Sequence, residues 1–412
     1  MQNLNQLNQQ FAAAAKPQRG QPTSLVWESL GLDRHLRSEV IEKRLRVQQL
    51  MEDIYDQLPA YIERQETPKF IIPMVQRLGI NGMSIKDHGG PGFSNLEGGA
   101  VIYEMAKRDA SIATFVLVHN AIGTNVISCL GDEEQRARLL KESLNMDQVC
   151  CFGLTEPNNG SDASSLKTTA TKVEGGYLIN GEKRWIGNAT FAGQICVWAR
   201  NPEEGNNVQC FVVTKGSPGL TTSKIMNKYS LRMVENADIK MKDVFVPNKN
   251  KLTHAKNFAT GTNVILESSR LGVAWMIVGV ACGAYEAALK YALQRKQFGK
   301  PIAKFQLNQE KLSRMLGYCE MMLNHVIEIS NMMDMGTSTM GQVARAKALC
   351  SRLTREVVAL AREVCGGNGI ILDNHVMKSF IDIEGMYTYE GTYDINMLVS
   401  GRELTGGLAA FK

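Results

Sequence analysis

Close to the C-terminus the run Tyr387-Thr388-Tyr389-Glu390-Gly391-Thr392-Tyr393-Asp394 sets a carboxylate among aromatic rings, beside a glycine and between hydroxyl groups. A carboxylate in open water is a weak base. One partly desolvated by aromatic neighbours has a raised pKa, which suits it to take a proton from carbon. Glu390 is therefore the candidate catalytic base. The same pattern fits a solvated loop or a capping residue, so its meaning depends on what other segments bring to it.

Four other segments carry residue types that could hold an anionic or planar ligand. Cys151-Phe152-Gly153-Leu154-Thr155-Glu156-Pro157-Asn158-Asn159-Gly160-Ser161-Asp162 reads as a strand ending in a tight turn, offering backbone N–H groups and the Thr155 and Ser161 hydroxyls. A plain glycine turn would use the same residues. Asn180-Gly181-Glu182-Lys183-Arg184-Trp185-Ile186-Gly187-Asn188 reads as a hairpin turn leading to an aromatic residue, with Trp185 either core or a stacking wall. Gln294-Arg295-Lys296-Gln297-Phe298-Gly299-Lys300-Pro301 ends a helix with basic residues that suit a phosphate or the helix dipole. Cys365-Gly366-Gly367-Asn368-Gly369 ends another, where missing side chains expose backbone donors.

The elements that must position these segments fall into three blocks. Residues 1–24, rich in Gln, Asn and Ala, read as a disordered leader. Residues 25–146 carry helical spacing of apolar residues over 38–61, 68–78, 96–107, 111–129 and 133–144. Over 147–260 the period changes to alternation, with short strands expected at 167–173, 177–180, 183–186, 194–199, 208–214 and 238–246. Strands without intervening helices indicate an antiparallel barrel or sandwich. From 261 to 412 long helices return at 264–296, 305–335, 339–364 and 392–404, matching a four-helix bundle in which Gly and Ala permit close approach. The fold class is α+β.

Composition narrows the function classes. The 412 residues exceed the size of one growing core, and 46 basic against 41 acidic residues leave +5, too small and dispersed for nucleic acid as main partner. The nine cysteines form no C-x-x-C knuckle and read as reduced core residues. The six histidines form no metal-binding spacing. Redox chemistry would thus need an organic cofactor. No apolar run is read as long enough to cross a bilayer. The leader lacks acidic residues, one mark of a mitochondrial presequence, and the terminus Ala410-Phe411-Lys412 is not a peroxisomal S-K-L address, so compartment stays open between mitochondrial matrix and peroxisome.

Taken in order, L-T-E-P-x-x-G-S-D, W-I-x-N, R-x-Q-F-G-x-P, G-G-x-G and Y-E-G-T resemble the acyl-CoA dehydrogenase and acyl-CoA oxidase superfamily from about Leu25 to the C-terminus. The resemblance implies a helical domain, a β-barrel and a four-helix bundle, a homotetramer built from dimers, and FAD bound at the subunit interface. It implies flavin contacts at Phe152, Leu154, Thr155, Gly160, Ser161, Trp185, Ile186 and Gly187. It further implies contacts to a neighbouring subunit's FAD from Arg295, Gln297, Phe298, Gln306, Glu363, Gly366 and Gly367, with Thr392 and Asp394 completing the set. Glu390 would remove the α-proton of an acyl-CoA thioester as hydride leaves the β-carbon for the flavin, giving a trans-2-enoyl-CoA. Arg270, Glu267, Tyr389, Gly391 and Ser161 would line the substrate site. Some members place the base at the position of Ser269, which is no carboxylate here; Glu267 is the runner-up base.

The resemblance is strongest to glutaryl-CoA dehydrogenase and to plant short-chain acyl-CoA oxidases, which share T-Y-E-G-T-x-D-I. The arginine that grips a distal carboxylate in the former is matched here by Ala113, so a short monocarboxylic acyl chain is expected. Gly187 stands where dehydrogenases carry Thr or Ser, as in the oxidases, so the electron acceptor is either O2 or electron-transfer flavoprotein. A glutaryl-CoA-type decarboxylating enzyme and a non-catalytic scaffold are the alternatives.

Overall fold

The structure is a computed structural model that describes residues 25–407; the leader expected over 1–24 lies outside them. The first block is helical: α1 (Val26–Ser29), α2 (Ser38–Ile54), α3 (Leu58–Arg64), α4 (Ile72–Leu78), α5 (Asn95–Arg108), α6 (Ala110–Leu117), α7 (Asn125–Leu130) and α8 (Glu133–Leu144). The helix expected over 38–61 is broken because Pro59, lacking an N–H, sits in the first turn of α3. Ser94 and Glu97 form a capping box at the start of α5, and Asp132 and Gln135 do the same for α8. The stretch expected as one helix over 111–129 contains a π-helical turn, Val118–Thr124.

The middle block is a curled seven-stranded sheet: β1 (Cys150–Gly153), β2 (Thr169–Val173), β3 (Gly176–Ile186), β4 (Gln194–Asn201), β5 (Asn207–Thr214), β6 (Leu220–Lys224) and β7 (Ala237–Pro247). Strand order is β1-β4-β2-β3-β7-β6, with β5 on the other side of β4. Most pairs are antiparallel as expected, but β1 and β2 both run parallel to β4, sharing its edge. Ile195 and Val197 of β4 and Phe211 and Val213 of β5 pack into one core, while Cys196, Trp198, Cys210 and Val212 pack into another. Both faces of these strands are therefore covered, the second by Ile127, Leu130, Leu139 and Leu140 of the helical block. The expected hairpin at Asn180-Gly181 is corrected: β3 runs straight through it with a bulge. Gly181 is required there because a Cβ would lie 2.7 Å from Thr168 Cα. The chain reversal lies instead between β2 and β3, whose register closes at Val173 and Gly176.

The last block holds α9 (Thr262–Gln294), a small hairpin β8 (Lys296–Gln297) and β9 (Lys300–Pro301), α10 (Gln306–Asp334), α11 (Met340–Cys365), α12 (His375–Thr388) and α13 (Tyr393–Leu404). Helix α12 is absent from the sequence reading. Its buried face carries Lys378, Ser379 and Asp382 beside Val376, Ile383 and Met386, so polar residues interrupt the apolar period. Against the expectation from composition, residues Ala110–Leu130 and Thr262–Gln294 are long and apolar enough to span a bilayer, yet 72% of each apolar window is buried inside the protein. Eight cysteines are buried and Cys129 is exposed, all unpaired, as read from their spacing.

Helix α9 crosses α5 at backbone distance. A Cβ on Gly283 would lie 2.0 Å from Lys107 O, and one on Gly279 2.5 Å from Tyr103 O. Neither carbonyl can move without shifting α5 as a whole. Gly283→Ala is therefore expected to cost at least about 1–3 kcal/mol and to lower the thermal midpoint. Gly317→Ala on α10, where a Cβ meets nothing within 4 Å, is expected to be neutral or to stabilise by up to about 1 kcal/mol.

Candidate active site

Glu390 follows the end of α12, and both it and Gly391 take left-handed φ, 54° and 83°. A left-handed glutamate is an uncommon conformation that surrounding contacts must hold. Three side chains do so through the adjacent carbonyls. Asn396 donates to Glu390 O at 3.2 Å and to Gly391 O at 2.7 Å. Lys347 Nζ, on α11, donates to Gly391 O at 2.6 Å and Tyr387 O at 3.4 Å. Arg270 Nε, on α9, donates to Glu390 O at 3.4 Å. The carboxylate itself accepts from Ser269 Oγ, 2.7 Å from Oε2.

The electrostatics of this cluster set burial against two nearby cations and one hydroxyl. Burial pushes the Glu390 carboxyl above the usual carboxylate range, opposed by the Ser269 hydrogen bond and the Arg270 and Lys347 cations. Burial likewise lowers Arg270, whose Nη1 lies 2.8 Å from Met340 Sδ. Glu267 accepts from Ser338 Oγ at 3.3 Å rather than facing the Glu390 carboxylate. The Tyr389 hydroxyl is buried without a hydrogen-bond partner, beside the wall formed by α6.

On the opposite side of α6 stands the second group of expected site residues. Arg184 N donates to Thr155 O at 2.8 Å, tying the Thr-Glu-Pro segment to Trp185. Buried Lys183 bridges Leu154 O at 3.1 Å and Glu156 Oε1 at 2.9 Å. Glu156 also accepts from Lys167 N and from Thr168, N and Oγ1, so it knits the turn together. Phe152 and Leu154 turn their side chains into the core beneath, Phe152 edge-on to Trp198. Gly160 and Ser161 are exposed, and Trp185, at φ 65°, is 50% exposed with its carbonyl held by Asn236.

Two consecutive residues join the groups. Leu117 packs where a Cβ on Gly272 would sit, one turn along α9 from Ser269, while Val118 approaches Gly187. Asn188 Nδ2 donates to Phe115 O at 3.1 Å. The π-helical turn beginning at Val118 thus lets adjacent side chains face different walls, and such turns concentrate at functional sites.

A third group lies elsewhere. Arg295, Gln297, Tyr291, Gly366, Gly367 and Asn368 line an open pocket of about 390 Å³ between the ends of α9 and α11. It shares no lining residue with the Glu390 cluster. Phe298 projects from the β8–β9 turn, 92% exposed, and Gln306 is exposed nearby at the start of α10. Glu363 pairs with Lys311 at 2.6 Å. Thr392 caps α13 by accepting from Ile395 N at 3.2 Å, and Asp394 is exposed in its first turn. No cluster of metal-ligating side chains occurs among the described residues.

Sequence profiles described as the acyl-CoA dehydrogenase N-terminal, middle and C-terminal domains match residues 39–147, 151–244 and 260–405 in turn. The chain belongs to the acyl-CoA dehydrogenase family. Members of this family are oxidoreductases acting on carbon–carbon bonds. An acyl-CoA dehydrogenase of Bacillus subtilis (strain 168) is 31% identical over 355 residues, covering 85% of this chain and 94% of its own. The caffeyl-CoA reductase-Etf complex subunit CarC of Acetobacterium woodii is 31% identical over 343 residues, covering 82% and 90%. Glutaryl-CoA dehydrogenase from Mycobacterium smegmatis superposes with TM-score 0.89 at 30% identity, covering 94% of this chain and 99% of its own. A structure of a glutaryl-CoA dehydrogenase from the same organism in complex with FADH2 superposes with TM-score 0.89 at 26% identity, covering 94% and 100%. The acyl-CoA dehydrogenase architecture of helical end domains around a curled sheet is thus shared by this chain and the two solved structures.

Sequence reasoning passed over Lys347, Asn396, Glu156 and Lys183. A lone lysine on the apolar face Val343, Ala344, Ala346, Lys347, Cys350 of α11 was a signal available for the first. Burial lowers Lys347 from an ordinary 10.5 to about 7. Between those values the unfolded chain binds the extra proton, so this group adds stability as pH rises through that window. In Lys347→Met, the gain in unfolding free energy from about pH 7 to about pH 9 is expected to shrink by roughly 1–3 kcal/mol, read from denaturant curves at each pH.

Proposed function

We propose that this chain is an FAD-dependent acyl-CoA dehydrogenase or oxidase that converts a short, monocarboxylic acyl-CoA to its trans-2-enoyl-CoA, with Glu390 as the base. The observation that carries this is the half-buried Glu390 carboxylate, raised in basicity by its surroundings, bonded by Ser269 and faced by Arg270 and Lys347. It takes the α-proton of the thioester. Asn396 and Lys347 hold the carbonyls of the Glu390 loop, and the Glu390 backbone N–H would then be the donor to the thioester carbonyl. Arg270, without an ion-pair partner among the described residues, orders the thioester end, and Tyr389 with Thr114 bounds the acyl chain.

The residues present fit the cofactor. Nothing lies within 4 Å of a Cβ built on Gly160, Gly366 or Gly367, so open space stands over those backbones, and Trp185 offers an exposed ring. Thr155, Gly160, Ser161, Trp185, Ile186 and Gly187 would hold the flavin end. Arg295, Gln297, Phe298, Gln306, Glu363, Gly366 and Gly367 would meet the ADP half bound by a neighbouring subunit, and Thr392 and Asp394 would make further FAD contacts. FAD held there would supply a hydride acceptor for the β-carbon. The exposed Phe298 and Leu307 beside the third pocket suit burial in a homotetramer, which FAD would then stabilise by linkage.

A monocarboxylic substrate follows from α6. Ala113 is fully buried and uncharged, and the nearby buried ammonium of Lys378 is already held by Asp109 and Asp382. A distal carboxylate would stay unpaired.

O2 as electron acceptor is favoured by Gly187. Its φ is not left-handed, and a Cβ there would meet Val118 Cγ2 at 3.5 Å and Val234 Cγ1 at 3.6 Å, ordinary contacts. Backbone geometry therefore does not demand glycine, and the absent side chain leaves room. The Etf-complex relative supports electron-transfer flavoprotein instead.

Anaerobic bleaching of the flavin by a ladder of saturated acyl-CoAs and glutaryl-CoA tests the reaction. Short monocarboxylic thioesters are expected to bleach fastest and glutaryl-CoA poorly. Glu390→Gln is expected to slow bleaching by about 10²–10⁴-fold; a variant matching the parent would remove the base assignment. Stopped-flow mixing of the substrate-reduced enzyme with air-saturated buffer separates the acceptors. Reoxidation fast enough for turnover, and slowed by Gly187→Thr, supports O2; slow reoxidation with rapid loss to electron-transfer flavoprotein overturns it.

A further inference from the structure

We infer that Ser269 is a positioning residue that clamps one oxygen of the Glu390 carboxylate, Oε2, and thereby assigns proton removal to the other, Oε1. The inference rests on the reading of Glu390 as base. It comes from geometry: Ser269 Oγ lies 2.7 Å from Oε2, while no described side chain or backbone group donates to Oε1. Ser269 is buried on α9, and its alternative acceptor, Leu266 O, is more distant at 3.4 Å, so the hydroxyl proton is directed at the carboxylate. A hydroxyl on that face of α9 does more than fill space. It fixes the χ angles of a side chain whose backbone already sits at φ 54°, leaving Oε1 as the unclamped oxygen.

The hydrogen bond also discriminates between protonation states. An O–H donor favours the carboxylate over the acid, and charge-assisted bonds of this kind are about twice as strong as neutral ones. The charged groups facing Glu390 are Arg270 from α9 and Lys347 from α11, with the Tyr389 phenol beside it; each cation acts on the carboxylate by charge alone, while its hydrogen bonds go to the backbone carbonyls of the loop. Ser269 is thus the group that can set orientation and basicity together. With the bond removed, the Glu390 pKa rises further. Because the base must be ionised to act, the rate is then lost at higher pH on the acid side.

The test uses the FAD-loaded enzyme and its Ser269→Ala, Ser269→Thr and Glu390→Gln variants, with butyryl-CoA as the probe. Anaerobic bleaching rates are followed against pH, and the Glu390 carboxyl is titrated by infrared difference spectroscopy, its C=O band identified by loss in Glu390→Gln. In Ser269→Ala both the acid limb of the rate profile and the infrared midpoint are expected to move to higher pH. The rate on that limb should fall on the order of ten-fold, and Ser269→Thr should restore both. If Glu390→Gln is inactive while Ser269→Ala superposes on the parent in both titrations, the clamp is overturned and the base assignment stands. If Glu390→Gln bleaches normally, the base assignment itself fails. A Ser269→Ala loss equal at every pH, with an unmoved infrared midpoint, would mark Ser269 as packing alone and also overturn the clamp.

Discussion

Lys378 lies buried between Asp109 and Asp382, and through that cluster the three blocks of the chain are held in one arrangement. Asp109 accepts from Ile112 N at 2.8 Å and so starts α6, the helix that carries Thr114 and Leu117. Asp382 accepts from Leu231 N at 2.7 Å in the segment between β6 and β7, and Ser230 reaches back to Asp382 O and Gly385 N. Lys378 and Asp382 sit on α12, whose C-terminal end delivers Glu390. A lysine so placed is raised in pKa because two carboxylates outweigh its burial, and losing a partner from such a cluster typically costs about 3–5 kcal/mol. What the cluster fixes is relative position: Glu390, α6 and the segment between β6 and β7 share one anchor.

A second theme is balance of charge around Glu390. A carboxylate alone at this depth would favour its neutral form, whereas cations in direct contact would leave it ionised but weakly basic. Here the cations grip the backbone of the loop and a neutral hydroxyl touches the carboxylate. That division lets one set of groups hold geometry and another tune basicity. Lys347 illustrates the cost, since an ammonium buried at 0% exposure is itself driven toward its neutral form.

The sequence revealed elements whose burial is one-sided and hid those whose burial is mixed. Helix α8 was legible over its whole length because its capping box and periodic leucines agree with its packing. Strand β6 was missed, since Leu220-Thr221-Thr222-Ser223-Lys224 lies at an edge and carries no apolar alternation. Helix α12 was missed because its core positions are ionic. At the site, Glu390, Thr155, Trp185 and Arg295 could be picked from residue type and neighbours, but their grouping could not. The partners that hold Glu390 come from positions 269, 270, 347 and 396. Such long-range pairing leaves no local pattern. Likewise the asparagine-glycine pair at 180–181 has the composition of a reversal, and only the close backbone of Thr168 explains its use inside a strand.

The π-helical turn at Val118–Thr124 carries one more residue than an α-helix would need to cover the same rise. Each residue of an α-helix rotates the chain by about 100°, so this surplus works as a phase shifter between α6 and α7. Upstream of it Leu117 is timed to Gly272 of α9; further along the turn Gly123 is timed to Cys150 of β1. A chain shortened by one residue in this turn would keep its composition and nearly its length. It would nevertheless point every later side chain of that wall about a quarter-turn astray.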